Sequence, residues 1–361
     1  MKKTVIYSLC ATVLVLSSCS TKLDVIGNYK ETMVVYGLLD PSQSKQYIKI
    51  NKAFLGEGNA IDFAKIKDST QYVNSLSVKI IRLSDGAEFP LSPDNSIPKA
   101  SGAFYGPDQA NAIYSFSTPT TKSPNTSTSY AYDSVISNTT LSTGNFKLVV
   151  RNSETGKEVT SQTSLVGDAA FTSTNLTGIS PSFTFVKPNA ANWSFPVQWN
   201  SGKNARIYQT IIRFHYIDST TTGNTANTLD WVLPSQKTGS LNGGEAMNSD
   251  FTGQSLLEFI GNQLKAYSGL IARKPGSVDV ILVAGADDLS TFIDVNAPST
   301  GIIQERPEFT NVTNGLGIFS SRYFKFPLTK PMDSSSLDSL ACGQYTKGLK
   351  FLNRLGVLFC P

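Results

Sequence analysis

The strongest constraint in this chain is a short alternation that recurs between turn signals. In "KQYIKINKAFL", Ile48 and Ile50 share one face while Lys49 and Asn51 point the other way, the period of a half-buried antiparallel strand. With "ETMVVYGLLD" before it and a turn at Pro41-Ser42-Gln43-Ser44, it reads as a hairpin. "LSVKIIRLSDGAEFPL" repeats the theme, with Leu76, Val78 and Ile80 aligned and Asp85-Gly86 as the turn. "AIYSFS" fits a further strand. "NFKLVVRNSETGKEVTSQTSL" fits two, with Phe146, Leu148 and Val150 inward and Thr155-Gly156 turning back. A chain patterned this way is mainly β, and residues 30–166 are expected to form an N-terminal immunoglobulin- or fibronectin-like β-sandwich.

At 361 residues the chain exceeds what one core usually serves, so a second domain is expected. The Ser-, Thr-, Pro- and Asn-rich stretch 167–190 reads as the linker. Residues 191–330 then read as a second β-rich domain. "WSFPVQW" alternates cleanly, although Pro196 confines it to an edge, and "RIYQTIIRFHYID" and "SVDVILVAGA" are further strands. One helix is expected over about 253–267: Leu256, Leu257, Phe259, Ile260 and Leu264 fit helical spacing, Thr252 can cap it, and Gly269 lies beyond its end. Residues 331–361 form a C-terminal segment. Trp193, Trp199, Tyr208, Phe214 and Tyr216 suit a sugar-stacking platform, but alternating aromatics on strands are more commonly core.

The N-terminus gives an address. Lys2 and Lys3 precede an apolar run from Val5 to Leu16, which at about 12 residues is too short to span a membrane and suits a signal peptide, residues 1–18. Leu16-Ser17-Ser18-Cys19 resembles the bacterial lipobox, which implies lipidation of Cys19, a lipidated tether over 19–29 and stable membrane attachment. An ordinary secretory signal is the other reading, and it would leave a reactive thiol near the new terminus. Loss of Lys2 and Lys3 lowers the formal charge from +4 to +2. With 16% charged residues and no basic cluster, nucleic acid is not an expected partner. Cys342 and Cys360, with 17 residues between them, either form a disulfide in an oxidising compartment or stay as two buried thiols.

Familiar catalytic patterns are missing. His215 is the sole histidine, so sites built on several histidines are excluded, and no G-x-S-x-G elbow or phosphate-binding glycine loop occurs. Ser42 and Lys45 stand at S-x-x-K spacing, but within a hairpin turn. Asp287, Asp288 and Asp294 lack the glycine turn and bidentate glutamate of a calcium loop, so a solvated loop is the plainer reading. No catalytic residue, metal ligand or cofactor is assigned.

"PEFTNVTNGLGIFSSRYF", residues 307–324, resembles a "TNI-x-x-G-x-G-I-F" segment near the end of an uncharacterised family of Bacteroidetes lipoproteins. Asn311, Asn314, Gly315, Leu316, Gly317, Ile318 and Phe319 carry the likeness, with Asn314-Gly315 as a tight turn and Gly317 permitting close backbone approach. The first hairpin and the Phe146–Leu165 strand pair are similar to earlier parts of that family. The Ser/Thr-rich loop at 119–129 and the Cys342/Cys360 tail depart from it. The resemblance implies a β-rich, non-enzymatic envelope lipoprotein of a kind often encoded near TonB-dependent outer-membrane transporters. With the lipobox, the tandem β-modules and the missing catalytic motifs, the expectation is a lipid-anchored accessory or ligand-binding protein at the outer membrane, working with such a transporter. Two alternatives stand beside it: an adhesion or surface structural component joined through strand exchange, and a glycan-processing enzyme of unrecognised type.

Overall fold

The computed structural model describes residues 30–54, 59–102, 105–106, 109–124, 134–142, 144–178, 180–187, 193–298 and 308–360. The signal peptide, Cys19, the tether and residues 125–129 of the expected loop lie outside the described residues. The protein is mainly β, in two modules that share one strand.

Alternation builds the first module. Strands β1 (Met33–Leu39) and β2 (Lys45–Lys52) form the expected hairpin. Its turn is fixed by side chains: Asp40 Oδ1 accepts hydrogen bonds from the Ser42 amide and hydroxyl, and Gln46 clasps the Asp40 backbone at both N and O. Two short helices, α1 (Ala60–Ala64) and α2 (Lys67–Thr70), precede β3 (Leu76–Arg82) and β4 (Glu88–Asp94). Gly86 turns that hairpin with φ of +71°, a conformation glycine adopts without steric penalty. Then come β5 (Ile113–Ser117), a separate pair β6 (Thr120–Pro124) and β7 (Ser134–Asn138), and the pair β8 (Asn145–Asn152) and β9 (Glu158–Ser164). The order β1-β2-β5-β4-β3-β8-β9 buries Met33, Val35, Ile48, Ile80, Phe146 and Val150 in one core.

The second module follows without a spacer. It comprises β10 (Ala170–Phe171), α3 (Thr174–Thr177), β11 (Ser194–Phe195), β12 (Gln198–Asn200), β13 (Ile207–Thr220), β14 (Gly223–Val232) and β15 (Gln236–Lys237). β16 (Ala246–Asn248), β17 (Phe251–Thr252), α4 (Gly253–Gln263), β18 (Leu270–Gly285), α5 (Asp287–Asn296), β19 (Leu316–Pro331) and α6 (Ser334–Cys342) complete it. On β13, Tyr208, Thr210, Ile212, Phe214 and Tyr216 are buried while Ile211, Arg213 and His215 are half-buried, as the alternation requires. At Pro196 the expected strand breaks into β11 and β12, because proline has no N–H for the ladder.

β19 ties the modules together. Its first part, Leu316–Ser321, runs parallel to β1, and Arg322–Pro331 runs antiparallel to β18. Just before it, Thr313 bridges Thr160 of β9, so the strand order of the first module closes on itself. Val312 and Phe319 accordingly belong to the first core.

Two expectations need correcting. Residues 167–190 do not behave as a linker where they are described: Phe171, Leu176, Phe183 and Phe185 are buried in the second core, and Ser336 Oγ of α6 accepts hydrogen bonds from the Phe185 and Val186 amides. Their polar composition reflects irregular backbone that needs side-chain partners, with the aromatics spaced at no regular period. The single expected helix, α4, stops at Gln263 because Leu264 is already extended (φ −104°, ψ 147°), and α5 and α6 join it. The C-terminal segment packs with the second module, Leu340, Ala341, Leu349 and Phe351 lying in its core.

Candidate functional site

The segment at Asn311–Phe319 is where the modules meet. Asn311 Nδ2 donates to Phe319 O (2.8 Å) and to Asp288 Oδ2 (2.9 Å), and its Oδ1 accepts from the Phe319 amide (2.9 Å). Its carbonyl accepts from Ser161 Oγ at 2.7 Å. One asparagine thus fastens β19 to β9 and to α5. Asn314 (φ +61°) makes the turn, and Gly317 (φ +103°) lets β19 approach β1 where a Cβ would lie 2.0 Å from Val35 O.

This arrangement frames an open groove of about 310 Å³ between β1 and α5. Its walls include Tyr36, Phe292, Val295, Phe309 and Leu316, with Asn296, Glu308 and Thr310 supplying polar groups. Tyr36 is 46% exposed and Leu316 43%. The Tyr36 and Phe292 rings meet edge to face, centroids 6.4 Å apart. Leu316 also borders a second concavity of about 590 Å³ on its other side, lined by Lys30, Thr32, Lys157, Glu158, Asn314 and Gly315. Leu316 thus lies between a groove with aromatic walls and one that carries Lys30, Lys157 and Glu158. Such walls can hold an apolar or aromatic group by area burial and orient it through a few polar contacts. A smaller, polar cavity of about 280 Å³ lies by Glu31, Lys52, Gln71 and Asn152. Burial pushes the Glu31 carboxyl up, but hydrogen bonds from Asn152, Thr155 and Tyr72 outweigh that and hold it below its usual range.

Other residues weighed from the sequence lie apart from one another. Asp287 pairs with Arg206 (2.7 Å), Asp294 with Lys237 (2.6 Å) and Asp288 with Asn311, all from the helix α5 rather than a loop. Two acidic residues in a first helical turn favour the helix N-terminus, which is the sequence signal that distinguishes this helix from a cation loop. His215 Nε2 lies 2.7 Å from Asp279 Oδ2, and Asp279 Oδ1 accepts from Thr329 Oγ1. Beside them Arg213 grips Asp230 through two nitrogens. The group is a charged ladder across β14, β13, β18 and β19 and borders neither concavity. Ser42 Oγ donates to Asp40, and Lys45 pairs with Asp94 at 2.6 Å. Among the described residues no cluster of three or more His, Cys, Asp or Glu is placed to hold a metal ion.

Trp199, Tyr208, Phe214 and Tyr216 are core, whereas Trp193 is half-buried beneath Lys187 Nζ, 3.4 Å from its ring centre. Cys342 and Cys360 are joined in a disulfide, their Cα atoms 5.5 Å apart. Sequence reasoning found Asn311, Asn314, Gly315, Gly317 and Phe319 but missed Tyr36 and Phe292. Tyr36 carried a signal: it is an aromatic on the outward phase of β1.

Neither a protein-family model nor a curated protein sequence matches this chain. Among solved structures it is similar to the C-terminal globular domain of an oligosaccharyltransferase from Pyrococcus abyssi, at 10% identity and a TM-score of 0.25, covering 72% of this chain and 49% of that one. It is also similar to a DUF4785 family protein from Legionella pneumophila, at 9% identity and a TM-score of 0.18, covering 70% of this chain and 52% of that one. The chain spans about half the length of each, and no helix among the described residues is long and apolar enough to cross a membrane.

Proposed function

We propose that this chain is a lipid-anchored accessory or ligand-binding protein of the cell envelope, held at the outer membrane through Cys19 and working with a TonB-dependent transporter. The observation that carries the binding role is the open groove walled by Tyr36, Phe292 and Leu316. Aromatic side chains left on a rigid, concave surface are a common feature of recognition sites. The lipobox-like Leu16–Cys19 and the likeness of residues 307–324 to Bacteroidetes lipoproteins support the address and the partner. The test is in-cell cross-linking of the full chain followed by pull-down, with Cys19→Ala and Tyr36→Ala as comparisons. Recovery of one outer-membrane barrel, lost with Cys19→Ala and weakened with Tyr36→Ala, is expected. Recovery of the same proteins in all three would sink the reading.

A second reading, a self-assembling surface component, is favoured by one feature. β14 ends the large sheet, and its ten residues contain no Lys or Pro to guard the open edge. Its one charge, Asp230, is occupied by Arg213. A strict monomer at high concentration in size-exclusion chromatography would remove this reading.

A further inference from the structure

The far end of the second module carries a feature that neither groove explains. Leu355 and Phe359 are 74% and 73% exposed, more than any other large apolar side chain among the described residues. Val357 and Leu358 stand exposed between them. These residues do not form a fraying tail. The Cys342–Cys360 disulfide closes the segment onto α6, and Asn353, itself 7% exposed, organises its turn. Asn353 Oδ1 accepts from the Leu355 and Val357 amides, Nδ2 donates to Phe359 O at 2.9 Å, and its backbone N–H donates to Val357 O. The loop is built to hold four apolar side chains in water, at a free-energy cost that a docking surface would recover.

Charge says what would cover it. The loop sits against the start of β18: Arg273 N donates to Lys350 O, and Leu352 N donates to Arg273 O. On the loop and the segments bonded to it, Lys265, Lys274, Lys347, Lys350 and Arg354 are all exposed. In residues 264–274 and 334–360 the only carboxylate side chain is Asp338, which is paired with Arg354. Arg273, the remaining cation, is buried against Asp218. An apolar tip with exposed cations on the segments that adjoin it matches the boundary of an anionic bilayer, where acyl chains receive the tip and headgroup phosphates receive the cations. The geometry points to a membrane-docking tip, Leu355–Phe359, that takes an anionic lipid surface independently of acylation at Cys19 and of the groove reading.

The chain from Ser20 onward contains every described residue and no acyl group. It would be sedimented with vesicles of phosphatidylcholine alone and of equal parts phosphatidylcholine and phosphatidylglycerol. We expect binding to the anionic vesicles, weakened by salt, and reduced about 30-fold or more when Leu355→Ser and Phe359→Ser are combined. Both side chains lie outside the core, and an unchanged thermal transition would confirm that the variant folds. Lys274→Glu with Lys347→Glu should lower anionic binding while leaving the tip intact. Failure to bind either vesicle, or equal binding by the serine variant, would overturn the proposal. So would a dimer in solution that the serine substitutions abolish while vesicles stay unbound, because the tip would then belong to a second copy.

Discussion

Gly317→Ala tests the joint on which both modules depend. The added Cβ would lie 2.0 Å from Val35 O and 2.9 Å from Val35 C, in backbone that no side-chain rotation can move. A carbon and a carbonyl oxygen tolerate about 3.3 Å, so β1 and β19 would have to part by roughly 1.3 Å. That displacement would break about two ladder hydrogen bonds, at about 1 kcal/mol each, and φ of +103° would add about 1–2 kcal/mol of strain for alanine. The expected loss is about 3–4 kcal/mol. Gly86→Ala is the control, because Gly86 also has positive φ but nothing within 4 Å of its Cβ position, and should lose only about 1–2 kcal/mol. Urea unfolding followed by circular dichroism reads both. Tryptophan fluorescence adds location, since the three tryptophans, Trp193, Trp199 and Trp231, all fall in the second module. If Gly317→Ala costs no more than Gly86→Ala, the close approach of β19 to β1 is not the constraint argued above.

Other consequences are as direct. Phe185→Ala should destabilise the protein by about 3–5 kcal/mol in urea, since its ring centre lies 4.7 Å from that of Phe195 and 5.8 Å from that of Phe251; a loss near zero would return residues 167–190 to the role of a linker. Replacing Cys342 and Cys360 with serine should lower stability by about 3 kcal/mol, as loop-closure entropy suggests for this separation, and reductant should do the same to the parent but nothing further to the variant. The Lys45 ammonium, then Ser96 and Ser115, hold the Asp94 carboxyl well below its usual range. A lowered folded pKa stabilises the native state above the unfolded value of about 3.9 and loses that contribution as pH falls towards the folded one. Thermal unfolding below about pH 4 should therefore decline less steeply in Asp94→Asn than in the parent, and equal slopes would refute the assignment.

Much of the local architecture was legible because its causes are local. The β1–β2 hairpin, the Gly86 and Gly156 turns and the inward phase of β13 all follow from residues within a few positions of one another. The parallel pairing of Val35 with Gly317 does not, because nothing near Val35 indicates a partner some 280 residues away. α5 was hidden for a different reason: Asp287 and Asp288 read as a solvated loop until they are taken as the acidic first turn of a helix, a placement that the ion pairs to Arg206 and Lys237 then hold. Within the candidate site the same division holds. The turn residues announced themselves through glycine and asparagine chemistry, but a groove assembled from β1, α5 and β19 is a property of three dimensions.

The shared strand also sets an order of events during biosynthesis. Residues 33–164 supply the seven strands that the first module contributes to the large sheet, yet its closing strand and Phe319 emerge only after about 150 further residues have been made. At ordinary rates of synthesis the nascent chain waits roughly eight to thirty seconds with β1 and β9 unpaired on their outer sides. Unpaired strand edges are sticky, so the half-made protein is a natural client for holding chaperones, and a fragment ending near residue 166 should aggregate rather than fold. The two modules are separate in core but keep one timetable.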